Sequence, residues 1–151
     1  MLLPLGNLLK SAIGSKKRHD IFKDEIELDE FDIVSSVGVI WLTKINMGIW
    51  ANSKIDLMIL CKCDRCLNFY NQRINIESDD IYYNFDYLGK NPEIYDTIDS
   101  HEFFLIKDNM IELTESFRQN IFVNLPIKLL CDLNCEGIHK NSKENNISYT
   151  S

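Results

Sequence analysis

Four of the chain's five cysteines fall in two closely spaced pairs, and thiols at such spacing can bind a metal ion. Cys63 and Cys66 form a C-x-x-C motif within the stretch CKCDRCLNFY, and Cys131 and Cys135 form a C-x3-C motif. Two such pairs can supply the four thiolates of a tetrahedral zinc site, with Zn–S distances of about 2.3 Å. Because four thiolates fill the coordination sphere, this site would be structural and would tie the C-terminal segment to the strands around Cys63.

Two other uses of these thiols stay open. Free cysteines are often buried and inert, so all of them could simply pack in the core. A redox role for Cys63 and Cys66 would need a motif that opens a helix, whose dipole lowers the thiol pKa. The stretch after Cys66, LNFYNQRINI, is typical of a strand, and Asp64 between the thiols opposes a thiolate. These features favour a metal clip over a thiol–disulfide oxidoreductase.

Two further residues could replace one of the four cysteine ligands. Cys61 precedes Cys63 by two positions, so both side chains lie on the same face if this segment is a strand. His139 follows Cys135 by four positions and offers an imidazole ligand.

Basic and aromatic residues gather around the first cysteine pair. Lys62, Arg65 and Arg73 are the candidates for contact with RNA, and Phe69 and Tyr70 lie between them in the sequence. Cations can bind phosphates while aromatic rings stack on bases. The alternative is that these residues are ordinary surface cations that balance acidic neighbours.

Composition limits the possible functions. The chain has 151 residues, 45% hydrophobic and 26% charged, which is typical of a globular domain. Its net charge of −7 argues against a surface that binds phosphate everywhere. No P-loop, G-x-S-x-G or G-x-G-x-x-G motif occurs, so we expect no enzyme, no catalytic residues and no small-molecule substrate.

Cellular location is predicted from the N-terminus and from residue usage. The opening MLLPLGNLLKSAIGS lacks the positive start of a secretory signal, and no stretch reaches the roughly 18 apolar residues of a membrane span. We therefore expect no membrane partner and a reducing compartment, where cysteines bind metals more often than they form disulfides. Frequent Ile, Asn and Lys with little Ala suggest an A+T-rich genome, and hence a plastid stroma or a bacterial cytoplasm.

Most of the chain has the pattern of strands. Residues 37–85 are rich in Ile, Val, Trp, Tyr and Phe, with turns predicted at residues 46–48, 64–68 and 78–80. This indicates an antiparallel meander that could curl into a barrel-like sheet. Upstream, residues 16–19 are expected to form a solvated basic turn, and residues 21–32 a strand with one acidic face.

Two helices and a loop complete the predicted α+β fold. Apolar residues at helical spacing predict an N-terminal helix over residues 5–13 and a C-terminal helix over residues 111–126, which Pro126 ends. Residues 86–101 are expected to form a loop, followed by a short strand at residues 103–107. We expect residues 1–139 to form a single domain and residues 140–151 a polar, flexible tail.

The ordered set of motifs resembles one family. CDRCL at residues 63–67 resembles the C-x-R-C-L knuckle of the YceD family, the large ribosomal RNA subunit accumulation proteins of bacteria and plastids. Residues 4–15, 38–77 and 111–138 are similar to that family's opening, central strands and ending. The resemblance implies a non-enzymatic role in accumulation of large-subunit (23S) ribosomal RNA and in ribosome assembly. Its implied partners are the large-subunit rRNA precursor or a basic ribosomal protein.

The sequence departs from the family near its end. Many relatives carry a further C-x-x-C-G after the C-x-G-[L/I] element, whereas this chain continues HKNSKENN. Cys131 and Cys135 are therefore the cysteines left to complete one structural Zn²⁺ site with Cys63 and Cys66. The competing hypotheses are a thiol–disulfide oxidoreductase that uses Cys63 and Cys66, and a zinc-free adaptor that binds proteins.

Overall fold

The computed structural model describes residues 1–22, 25–97 and 104–138. Within these residues the chain forms seven strands and three α-helices. In chain order they are β1 (Leu2–Pro4), β2 (Lys16–Ile21), β3 (Ile33–Ile45), β4 (Gly48–Lys62), β5 (Phe69–Tyr83), α1 (Phe85–Lys90), α2 (Pro92–Thr97), β6 (Phe104–Leu105), β7 (Met110–Glu112) and α3 (Thr114–Asn124).

A five-stranded sheet in the order β2-β3-β4-β5-β6 dominates the molecule. Strands β2 to β5 are antiparallel neighbours, whereas the short β6 runs parallel to β5. A second small sheet pairs β1 with β7 antiparallel. The predicted α+β class and antiparallel meander are confirmed. The large sheet ends in two edge strands, so the described residues do not form a closed barrel.

The long hairpin of β3 and β4 follows from its turn and its side-chain alternation. The turn predicted at residues 46–48 is found at Asn46 and Met47, and Gly48 already starts β4 with a φ of +154°. A Cβ atom at Gly48 would lie 2.0 Å from the carbonyl oxygen of Tyr82 in β5, so only glycine fits there. Along β4 alternate residues from Ile49 to Cys61 are buried, which gives the sheet one inner face and one outer face.

Helix α3 covers the inner face and confirms the predicted C-terminal helix. Phe117 and Ile121 are fully buried on one side of α3, and Leu113 just before it is buried as well. The helix ends at Asn124, and Leu125 is already extended because Pro126 follows it. Residues 111 and 112, which we assigned to the helix, lie instead in β7.

The predicted N-terminal helix over residues 5–13 is wrong. Leu2–Pro4 form a strand because β7 offers a pairing edge, and Gly6 then reverses the chain at a φ of +59°. Only a 3-10 turn at Leu8–Lys10 is helical. Ala12 and Ile13, which belonged to the apparent apolar stripe, are exposed.

Several local predictions also differ from the structure. The basic residues 16–19 lie in β2 rather than in a turn. Of the strand expected over residues 21–32, Ile21 ends β2, and the rest is reduced, where the structure describes it, to an isolated bridge between Leu28 and Phe31. The predicted turn at residues 78–80 is wrong because β5 runs through it. The expected loop at residues 86–101 contains α1 and α2, as far as it is described, and the strand expected at residues 103–107 is limited to β6.

Some predictions fall on parts of the chain that the structure does not describe. They concern His139, the tail at residues 140–151, and residues 98–101 and 103.

The packing of α3 on the sheet gives a first testable prediction. Phe117→Ala should lower the free energy of unfolding by about 3–5 kcal/mol, because it removes a fully buried ring and leaves a cavity. Val123→Ala on the same helix is the control, since Val123 is 82% exposed, and it should change stability by less than about 0.5 kcal/mol. Urea denaturation of both variants measures the difference, and equal losses would contradict this packing.

Candidate metal centre

Cys63, Cys66, Cys131 and Cys135 come together at one end of the large sheet. Their four sulfur atoms all lie within 4.8 Å of one another, although the two pairs are far apart in sequence. Cys63 is fully buried, Cys66 and Cys135 are half-buried, and Cys131 is exposed. The structure therefore places together the four residues that their spacing singled out.

The first pair is held by a tight turn between β4 and β5. The backbone N–H of Cys63 donates to the carbonyl oxygen of Asn68 at 2.9 Å, and the N–H of Leu67 donates to the carbonyl of Cys63 at 3.0 Å. Leu67 takes a left-handed conformation with a φ of +62°, which closes the turn. The predicted turn at residues 64–68 is confirmed, and it points both sulfurs toward the C-terminal segment.

The second pair lies in the segment that follows α3, where no helix or strand is present in the described residues. The N–H of Cys135 donates to the carbonyl of Asp132 at 3.0 Å, and the carboxylate of Asp132 accepts the N–H of Asn134 at 2.7 Å. This turn folds the backbone between Cys131 and Cys135 and brings their sulfurs to the same point.

Hydrogen bonds join the two cysteine turns to each other. Asp64 makes a reciprocal pair with Leu129: its N–H donates to the Leu129 carbonyl, and its carboxylate accepts the Leu129 N–H, both at 2.7 Å. The Arg65 guanidinium donates to the carbonyls of Leu133 at 3.3 Å and Cys135 at 3.0 Å. Sequence reasoning missed these roles, because the partners of both side chains are backbone groups some 65 or more positions away.

Two of the six sulfur–sulfur distances match the edges of a tetrahedral metal site. A regular tetrahedron with metal–sulfur bonds of about 2.3 Å has sulfur–sulfur edges of about 3.8 Å. The Cys63–Cys135 sulfurs are 3.8 Å apart and the Cys66–Cys131 sulfurs 3.6 Å apart. Disulfide bonds need about 2.05 Å, and all four thiols are free. The donor set and its geometry therefore fit a tetrahedral, thiophilic ion.

The electrostatics of the cluster favour one thiolate and disfavour a full set in the absence of a cation. The pKa of Cys63 is lowered to about 6, first by hydrogen bonds from the backbone N–H groups of Cys66 and Cys131 and then by that of Arg65. The pKa of Cys131 is raised to about 12, because its thiol proton is shared with the sulfurs of Cys66, Cys135 and Cys63. A bound divalent cation would allow all four cysteines to be thiolates, since its charge stabilises them together.

Cys61 is separate from the cluster. It lies on the same inner face as Leu57, Ile59 and Cys63, as the strand pattern predicted, and it packs in the hydrophobic core. Burial raises the pKa of its thiol, so Cys61 has the surroundings of an apolar core residue.

The three candidate RNA-contacting residues lie near the cluster but in different settings. Lys62 and Arg73 point to the outer face of the sheet on neighbouring strands, and both are exposed. Arg73 forms an ion pair with Asp56 at 3.2 Å. Arg65 is also exposed, but its guanidinium donates to the C-terminal segment. Contact of these residues with RNA stays a prediction.

An open, mostly antiparallel sheet with four converging cysteines at one end defines a β-rich protein with a candidate structural metal centre. None of its described helices has the length and apolar content needed to cross a membrane. Neither a curated protein nor a solved structure matches the chain. The family model described as large ribosomal RNA subunit accumulation protein YceD matches residues 51–149, a span that contains all four clustered cysteines. The chain belongs to the YceD family.

The low pKa of Cys63 can be measured in the metal-free protein. We expect one thiolate to titrate near pH 6 in the ultraviolet absorbance, and this transition should vanish in Cys63→Ser but persist in Cys61→Ala. Because the pKa falls from 9.0 to about 6 on folding, its contribution to stability is complete above pH 9 and is lost as the pH falls through 6. A first thiolate that titrates near pH 9 would contradict the hydrogen bonds to Cys63.

Proposed function

We propose that the protein is a non-enzymatic factor that supports accumulation of large-subunit ribosomal RNA and assembly of the large ribosomal subunit. Membership of the YceD family carries this proposal, because the family is described by its role in large ribosomal RNA subunit accumulation. The factor would work in a bacterial cytoplasm or a plastid stroma. It would bind the rRNA precursor or a basic ribosomal protein.

A structural Zn²⁺ bound by Cys63, Cys66, Cys131 and Cys135 is the second part of the proposal. Sulfur-only tetrahedral sites select zinc or iron, and four thiolates leave no open position for a substrate. The ion would supply charge neutralisation and a rigid link, while the chain's own residues hold the sulfurs in place. Asp64 and Arg65 would position the C-terminal segment so that Cys131 and Cys135 meet the first pair.

An oxidoreductase role fits this site less well. The lowered pKa of Cys63 is typical of a reactive thiol, but its side chain is fully buried and three other sulfurs surround it. The C-x-x-C turn also connects two strands rather than opening a helix. A buried sulfur cannot attack a protein disulfide without opening of the site, so a structural role is favoured.

Metal analysis of the reduced, purified protein tests the zinc site. We expect about one Zn²⁺ per chain, and Cys131→Ser or Cys135→Ser should lose it whereas Cys61→Ala should keep it. Removal of the metal should destabilise the fold by about 2.7 kcal/mol, compared with protein in free zinc at about 100 times its Kd. Substitution by Co²⁺ should give the absorption bands of a tetrahedral thiolate complex. A metal content near zero in wild-type protein would show that the four cysteines do not form a zinc site.

Depletion of the protein from its source cell tests the ribosomal role. We expect lower 23S rRNA and fewer large subunits in a sucrose gradient, and the protein itself should sediment with pre-ribosomal particles. Re-expression of the Cys61→Ala variant should restore the large subunit, because its cysteine cluster is intact. Normal rRNA levels after depletion, with no protein in the particle fractions, would exclude the proposal.

A further inference from the structure

Both tryptophans of the chain lie exposed on the outer face of the large sheet. Trp41 in β3 is 38% exposed and Trp50 in β4 is 40% exposed. In the register of these strands Trp41 is opposite Asn52 and Trp50 is opposite Thr43, so the two indoles are diagonal neighbours on one face. Large aromatic rings are costly to leave in water, and exposed pairs of them commonly mark binding surfaces.

Polar contacts hold both indole rings in fixed orientations. The Arg18 guanidinium lies 5.4 Å from the centre of the Trp41 ring, in a cation–π contact across β2 and β3. The indole N–H of Trp50 donates to the Asp79 carboxylate at 3.1 Å, which also accepts the Asn52 amide at 2.8 Å. Because the rings are held before any partner binds, little conformational entropy is lost when a flat group stacks on them.

The charge on this face differs from that of the whole chain. The outward positions of β2, β4 and β5 carry five cations, Lys16, Arg18, Lys54, Lys62 and Arg73. They carry four carboxylates, Asp20, Asp56, Glu77 and Asp79. The net charge of the chain is −7, so the acidic excess lies elsewhere.

The carboxylates on the face are all engaged by neighbours. Asp20 pairs with Arg18 at 2.6 Å, Asp56 with Arg73 at 3.2 Å and Glu77 with Lys54 at 3.6 Å. Asp79 accepts the two N–H groups described above. A basic protein would therefore find no unengaged carboxylate among these four, whereas a phosphate can approach Lys62 at the cysteine end of the same face.

We propose that the outer face of the sheet is a platform for single-stranded RNA, on which bases stack against Trp41 and Trp50. Lys16 and Lys62, which form no ion pair among the described residues, would contact the phosphates, and Phe69, which is 68% exposed opposite Lys62, offers a further ring. Stacking accepts any base, so this surface would bind unpaired segments with little sequence preference. The proposal rests on the proposed ribosomal role and adds to it the RNA-binding surface.

Intrinsic fluorescence of the full chain tests the platform, because its two tryptophans both lie on this face. Titration with an unstructured oligoribonucleotide should quench the emission, and added salt should weaken binding. Trp41→Ala and Trp50→Ala should each lower the affinity about tenfold, the loss of one stacked base. Trp41→Phe keeps a stacking ring and should stay within about threefold of wild type. Phe122→Ala, an exposed ring on α3, is the matched control and should change nothing.

Three results would overturn the platform, and they differ from failure of the ribosomal role. RNA binding that is unaffected by both Trp→Ala variants, in protein with unchanged circular dichroism, would place the RNA elsewhere. A chain that joins pre-ribosomal particles without binding the oligoribonucleotide would point to a protein partner. If a basic ribosomal protein quenched the emission and RNA did not, the surface around the two tryptophans would bind that protein rather than RNA. In each case the depletion experiment tests the ribosomal role independently.

Discussion

The approach of the two cysteine turns is the contact on which the position of the C-terminal segment depends. Residues 125–138 contain no helix or strand and no fully buried side chain, although Leu125 and Leu129 pack half-buried against the hydrophobic core. The hydrogen bonds from Asp64 and Arg65 and the four clustered sulfurs add to this packing. Because β4, β5 and α3 are already packed together, bringing Cys131 to Cys66 has to order only the residues that follow α3. A metal ion at the proposed site would add a strong interaction to these hydrogen bonds.

Because side chains along a strand alternate between its two faces, the position of the cysteine turn is linked to the outer face of the sheet. In β4 the alternation that turns Cys61 inward turns Lys62 outward, and the opposing strand places Phe69 beside it. The cysteine turn therefore fixes where β4 ends and β5 begins, and with that the register of the face that carries Trp50 and Asp79. If the turn opened, a shift by one residue would move every outward side chain to the core.

The sequence predicted those parts of the molecule that depend on short-range pattern. The alternation of β4, the Asn46–Met47 turn and the apolar side of α3 are local signals, and each is found in the structure. The apolar residues at 5–13 were misleading, because the edge of β7 competes for Leu2–Pro4 and a left-handed Gly6 interrupts the helix. Asp79 and Asp80 resemble turn residues, yet Asp79 is held by Trp50 and Asp80 by the Ser116 hydroxyl, so β5 continues through them. Such distant partners leave no local signal.

The same limit applies to the site. Cysteine spacing alone identified the four sulfurs, because ligand pairs at short separation are a local pattern. It could not show that the Asp64 carboxylate accepts the Leu129 N–H or that Arg65 donates to the carbonyl of Cys135, since backbone donors and acceptors carry no residue-specific signal. Arg65 illustrates the consequence for function: a cation beside a cysteine pair suggests contact with phosphate, but here its guanidinium already joins two segments of the protein. Lys16 and Lys62 on the sheet's outer face are exposed and form no ion pair among the described residues, so we place the proposed RNA contact on that face rather than at the cysteine turn.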